Sequence, residues 1–162
     1  MPKIRDVMTT EVLTVRPDMT LTELDRHLVE AGVSGAPVVE DDAIVGIVSQ
    51  TDVIRILYGE QQEAQKVSAF CDSPFPIPLA SLVHLARDRR RIADHMTKLR
   101  VRDVMTPAPA RVAPDASVEE VARLMSREGF HRVPVVEGER LVGIVSTMDF
   151  VRLLGEGGFA AQ

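Results

Sequence analysis

The strongest constraint on this chain is that it contains one pattern twice. Residues 4–57 laid over residues 101–154, at a constant offset of 97 and with no gap, agree at 23 of 54 positions. Chance does not hold one register over that length, so the sequence is an internal duplication. Arg5-Asp6-Val7-Met8-Thr9 recurs as Arg102-Asp103-Val104-Met105-Thr106, Pro17-Asp18 as Pro114-Asp115, and Pro37-Val38-Val39-Glu40 as Pro134-Val135-Val136-Glu137. The densest shared stretch is Gly46-Ile47-Val48-Ser49-Gln50-Thr51-Asp52 against Gly143-Ile144-Val145-Ser146-Thr147-Met148-Asp149. Each copy follows a short apolar run and precedes a short helical one, so it reads as a buried strand turning into a helix. Backbone N–H groups at such a junction lack partners and can receive an anion. Serine and aspartate there are also good helix caps. The residues alone leave both uses open.

The same grammar runs through both copies. Thr20-Leu21-Thr22-Glu23 and Ser117-Val118-Glu119-Glu120 match the capping box, in which a hydroxyl and a carboxylate satisfy each other's backbone donors. The helices that follow carry Leu21, Leu24, Leu28 and Val118, Val121, Met125, one apolar stripe each. Gly32 and Gly129 stop them. Val38-Val39 and Val135-Val136 predict strands, and Asp41-Asp42 and Gly138-Glu139 predict turns. The unit is therefore β-α-β-β-α, with its first strand around Val12 to Val15 or Ala110 to Val112. One such unit buries too little apolar surface to stand comfortably alone, so two copies should pack together. The fold class is α/β (α+β). The expected division is 1–58 for repeat 1, 59–100 for a helical insert, 101–155 for repeat 2 and 156–162 for a flexible tail. Within the insert, Leu82, Leu85, Ile92, Met96 and Leu99 fall near heptad spacing, broken by Arg89. That predicts an amphipathic helix of about five turns, lying on this chain's repeats or on a partner.

Composition narrows the function. With 4% aromatic residues and no Trp, the core must rest on Val, Leu, Ile, Ala and Met. A net charge of −5 argues against broad nucleic-acid binding, which needs a basic footprint. Arg87, Arg89, Arg90 and Arg91 are interleaved with Asp88 and Asp94 and read as a solvated face or dimer contact. The single Cys71 excludes an intramolecular disulfide. The N-terminus has no apolar h-region, and no window approaches 18 apolar residues, so a soluble, cytoplasmic protein is expected. His27, His84 and His95 share no metal spacing and read as structural or exposed. Neither a nucleophile–base pair nor a P-loop is present, so no enzyme and no catalytic cofactor are expected.

Asp-Val-Met-Thr, then a helix, then Pro-Val-Val, then Gly-Ile-Val-Ser-x-x-Asp, twice over, closely resembles a tandem pair of CBS domains, a Bateman module named for cystathionine β-synthase. The resemblance covers residues 4–57 and 101–154; the insert lies outside it. It implies two repeats packed about a pseudo-twofold axis, often a homodimer, with adenosine-containing ligands in clefts between repeats. Carried over, one site uses Ile144, Ser146 and Asp149 with Met8, Val12, Leu13, Val33 and Ser34. The second uses Ile47, Ser49 and Asp52 with Met105, Pro109, Ala110, Phe130 and His131. Aspartate would accept from ribose hydroxyls, serine and the helix N-terminus would meet phosphate, and apolar side chains would hold adenine.

His131-Arg132 stands where copy one has Ser34-Gly35, and an arginine beside a helix N-terminus makes a phosphate clamp. The alternative is a surface ion pair with Glu128 or Glu137. The clamp implies asymmetry: the Asp149 site has a phosphate partner, whereas the Asp52 site binds weakly, binds an uncharged adenosine moiety or stays empty. The expected function is a regulatory sensor of AMP, ADP, ATP or S-adenosylmethionine, acting on a regulated protein or its own oligomer, without nucleic acid or membrane. The alternative is a ligand-independent interaction or dimerisation module, with both junctions serving only as caps.

Overall fold

The structure, a computed structural model, describes residues 2–58 and 89–157. In chain order the elements are α1 (Ile4–Val7), α2 (Leu21–Ala31), β1 (Gly35–Glu40), β2 (Ala43–Ser49), α3 (Gln50–Tyr58), α4 (Arg89–Lys98), α5 (Val101–Val104), β3 (Thr106–Pro107), α6 (Val118–Glu128), β4 (Arg132–Glu137), β5 (Arg140–Ser146) and α7 (Thr147–Gly155).

Helix starts and stops follow the local chemistry. Thr20 Oγ1 accepts from the Glu23 N–H at 3.2 Å while the Glu23 carboxylate accepts from the Thr20 N–H at 2.7 Å, and Ser117 with Glu120 repeats the arrangement. Gly32 and Gly129 close α2 and α6 in the left-handed region, at φ 68° and 71°, where a Cβ would be strained. The predicted stripes are buried: Leu21, Leu24 and Leu28 in α2, and Val118, Val121 and Met125 in α6. Both hairpin turns form where Asp41-Asp42 and Gly138 take positive φ.

The described residues fall into two compact units, and neither coincides with a repeat. One, the Asp149 unit, comprises residues 2–12, 41–44 and 109–157; the other, the Asp52 unit, comprises 13–40, 45–58 and 89–108. The opening segment of each repeat has joined the unit built on the other. In the Asp149 unit, Ile4 N–H donates to Ala116 O and Arg5 N–H to Pro114 O, both at 3.0 Å. Ile4 is fully buried with Val118, Val121, Met125, Val133, Val135 and Val145. In the Asp52 unit, Val101 N–H donates to Met19 O at 2.9 Å and Arg102 N–H to Pro17 O at 3.0 Å. There Val101 and Val104 join Leu21, Leu24, Leu28, Val38 and Val48 in the core.

One expectation needs correction. The first strand of each repeat is reduced to one parallel bridge, Val15 to Val38 and Val112 to Val135. Prolines follow closely, at Pro17 and Pro114, and without an N–H they cannot extend the ladder. The insert helix, as described, runs from Arg89 to Lys98; Leu99 lies beyond its end, while Leu82, Leu85, Arg87 and Cys71 fall outside the described residues. It lies on this chain: Ile92 is buried in the Asp52-unit core with Met96 and Leu99 packed against it. Thr22 Oγ1 donates to Met96 O at 3.0 Å, tying α2 to α4. At the C-terminus α7 runs through Gly155.

Candidate functional site

Each unit carries one strand-to-helix junction, and the two are built alike. In the Asp149 unit, the Ser146 N–H and hydroxyl both donate to Asp149 Oδ2 at 2.7 Å. Asp149 Oδ1 lies 3.4 Å from Arg152 Nη1, and Asp149 is 6% exposed. In the Asp52 unit, the Ser49 N–H and hydroxyl donate to Asp52 Oδ2 at 2.8 Å, and Arg55 Nη1 lies 3.5 Å from Oδ1. One carboxylate oxygen thus caps the helix and the other faces an arginine. Arg55 and Arg152 were not singled out from the sequence, although the repeat preserves both, three residues after the aspartate.

The segment before each hairpin is pinned to the junction of its own repeat. Ser34 O accepts from the Gln50 N–H at 2.9 Å, and His131 O accepts from the Thr147 N–H at 3.0 Å. An antiparallel hairpin requires this, because its opening end comes to lie beside its closing end. The register is explicit in the second copy, where Arg132 stands opposite Ser146 and Pro134 opposite Ile144. The resemblance implies Ser34 with Asp149 and His131 with Asp52; these backbone hydrogen bonds join each to the junction of its own repeat. Leu13, Val33, Ser34, Ile47, Ser49 and Met105 belong to the Asp52 unit with Asp52. Met8, Val12, Pro109, Ala110, Phe130, His131, Arg132, Ile144 and Ser146 belong to the Asp149 unit with Asp149.

The methionines of the Asp-Val-Met-Thr motif sit directly on the strand before each junction. A Cβ added to Gly143 would lie 2.6 Å from Met8 Sδ and 3.0 Å from Thr9 O; one added to Gly46 would lie 2.5 Å from Met105 Sδ. Thr9 and Ile144 exchange backbone hydrogen bonds at 2.9 Å, and Thr106 pairs with Ile47. Each junction strand is therefore walled by a methionine on a segment remote in sequence. Val33 and Leu13 pack against the core of the Asp52 unit, and Phe130 against that of the Asp149 unit.

Charge differs between the junctions. Arg132 is half-buried, and burial pushes its guanidinium below its ordinary pKa; His131 is exposed. In the Asp52 unit the matching residues are Ser34 and Gly35, and behind α3 lies a buried polar pair that the other unit lacks. Gln50 is 1% exposed and its Nε2 donates to Asp25 Oδ1 at 3.4 Å; the equivalent positions hold Thr147 and Ala122. Asp25 falls on the apolar stripe of α2, and a carboxyl at a core position was the sequence signal for this pair. Among the described residues there is no group of three or more His, Cys, Asp or Glu side chains able to hold a metal. No helix there is long and apolar enough to cross a membrane.

A duplicated α/β module with one Ser-x-x-Asp strand-to-helix junction in each unit is the class of protein these features define. The CBS domain model matches residues 4–59 and 101–156, and the chain belongs to the CBS domain family as a tandem pair. It is 29% identical over 153 residues to protein MJ1225 of Methanocaldococcus jannaschii, covering 94% of this chain and 42% of that protein. The chain therefore spans less than half the length of that relative. Among solved structures, the CBS domain of a CBS domain-containing membrane protein from Sphaerobacter thermophilus is 32% identical at a TM-score of 0.65, covering 93% of this chain and 86% of that one. CBSX2 in complex with AMP, a protein of Arabidopsis thaliana, is 26% identical at a TM-score of 0.69, covering 98% of this chain and 99% of that one.

Proposed function

We propose that this CBS pair is a regulatory module that binds an adenosine-containing ligand at its Ser-x-x-Asp junctions and signals occupancy through a change in conformation. The observation carrying this reading is the Asp149 junction. There a buried carboxylate keeps one oxygen outside the cap, a methionine walls the strand, and Arg132 stands in register with Ser146. Ribose hydroxyls would donate to Asp149 Oδ1, displacing the 3.4 Å contact with Arg152. Phosphate would meet Arg132 and the N-terminus of α7. The AMP complex of CBSX2 supports this ligand class. A ligand shifts the conformational equilibrium only by its differential affinity for the two states, so regulation requires that it hold one arrangement better.

The competing reading is a ligand-independent interaction module. It is favoured by the capping bonds that both aspartates already make within the chain. Thermal unfolding against AMP, ADP, ATP and S-adenosylmethionine, with GMP as control, separates the two. A ligand at 100 times its Kd stabilises by about 2.7 kcal/mol, which for a chain of this size is a Tm rise of roughly 5–10 °C. A rise with an adenine ligand that is absent in Asp149→Ala supports the sensor. A Tm unmoved by every adenine ligand at millimolar concentration sinks it in favour of the interaction module. Light scattering with and without ligand then tests whether the regulated species is a homodimer.

A further inference from the structure

The two junctions share their capping bonds and their Arg152 or Arg55 contact, so those groups cannot tell one ligand from another. Two other differences act in one direction. First, Arg132 and His131 of the Asp149 unit are replaced in the Asp52 unit by Gly35 and Ser34. Second, position 35 has no room for any side chain. A Cβ there would lie 2.8 Å from Val48 O and 3.2 Å from both Ser49 Cα and Cβ, so this position cannot carry a side chain that would supply the cation.

We propose that the two junctions are charge-differentiated: the Asp149 unit takes an adenosine nucleotide through its 5′-phosphate, and the Asp52 unit takes an adenosine nucleoside without an anionic phosphate. The assignment rests on the adenosine-ligand reading above and adds which unit takes which chemistry. Ribose recognition by aspartate is common to both units. Phosphate recognition is confined to one, because in the other the cation is missing and position 35 has no room for a side chain that could supply it.

Calorimetric titration of the full chain with AMP and, separately, with adenosine tests it, on wild type, Asp149→Ala, Asp52→Ala and Arg132→Gln. Wild type is expected to bind one equivalent of AMP and two of adenosine. Asp149→Ala loses AMP, and Asp52→Ala loses one adenosine equivalent. Arg132→Gln weakens AMP by roughly 10–100-fold, the size of a charge-assisted hydrogen bond, and changes adenosine affinity less than about twofold. That split between the two ligands would not follow from a merely structural role for Arg132, and it stands even if Asp149→Ala fails to fold. Two AMP equivalents of similar affinity, or AMP retained by Asp149→Ala, overturn the charge assignment while leaving adenosine binding intact. A single adenosine equivalent, lost with Asp149, overturns the role given to the Asp52 unit. If neither ligand binds, the functional reading fails and this inference with it.

Discussion

A hydrogen atom at position 143 is what allows Met8 to lie on the junction strand. Gly143→Ala places a methyl 2.6 Å from Met8 Sδ and 3.0 Å from Thr9 O. The thioether can move but the carbonyl cannot move without breaking the Thr9 to Ile144 pairing. The expected loss is about 1–3 kcal/mol, seen as a lower urea midpoint at unchanged slope. Gly32→Ala is a different experiment, since nothing lies within 4 Å of its Cβ and only the φ of 68° resists it. Its cost should be nearer 1 kcal/mol. A midpoint for Gly143→Ala no lower than that for Gly32→Ala would refute the close approach. The capping carboxylates set the response to acid. The Thr20 backbone and hydroxyl donors hold Glu23 below the usual glutamate range, and the Ser117 hydroxyl and backbone do the same for Glu120. Their folded-state pKa values lie below the unfolded ones, so their contribution is complete above the unfolded pKa, about 4.3. It is lost as pH falls through the folded values. Thr20→Ala and Ser117→Ala should flatten the acid limb of a stability–pH curve; an unchanged limb in the double variant would show that other groups govern it.

At the scale of elements, the exchanged segments make the clearest prediction. α1 comes from the first repeat but buries Ile4 among residues of the second. Ile4→Ala should cost about 2–5 kcal/mol, and the loss should be felt far along the chain. Hydrogen exchange should quicken in α6, β4 and β5 while α2 and β1 stay protected. The reciprocal change, Val101→Ala, should loosen α2 and α3. Faster exchange in α2 after Ile4→Ala, with α6 unaffected, would contradict the exchange of segments. The insert helix α4 belongs to the same scale. Ile92 is 4% exposed, and its apolar face is taken up by α2 of this chain. Shaving it to alanine should therefore destabilise the Asp52 unit without any partner present.

For the whole molecule, the two compact units mean that a repeat cut from the chain lacks part of its core. Residues 1–58 expressed alone omit α4 and α5, and with them Ile92, Val101 and Val104; circular dichroism should show a chain without a cooperative melt. A cooperative transition for that fragment would show the repeat to be self-sufficient. Much of this molecule was legible beforehand because its signals are local or repeat exactly once along the chain. Capping boxes, glycine stops, apolar stripes and the Gly-x-x-Ser-x-x-Asp junction each depend on residues within a few positions of one another, and the constant offset of 97 doubled every one of them. The family and the junction residues followed from that pattern. What stayed hidden depends on which distant segments meet. Nothing in Ile4 or Val101 says whose helix will cover it, and nothing in Ser34 or His131 says which aspartate lies beside it; backbone pairing between remote segments decides both. Nor does Gly35 reveal that its missing side chain is a steric necessity. Only the approach of Val48 and Ser49 does so, and that closure, together with the Asp25–Gln50 pair, is what makes two copies of one motif physically unlike.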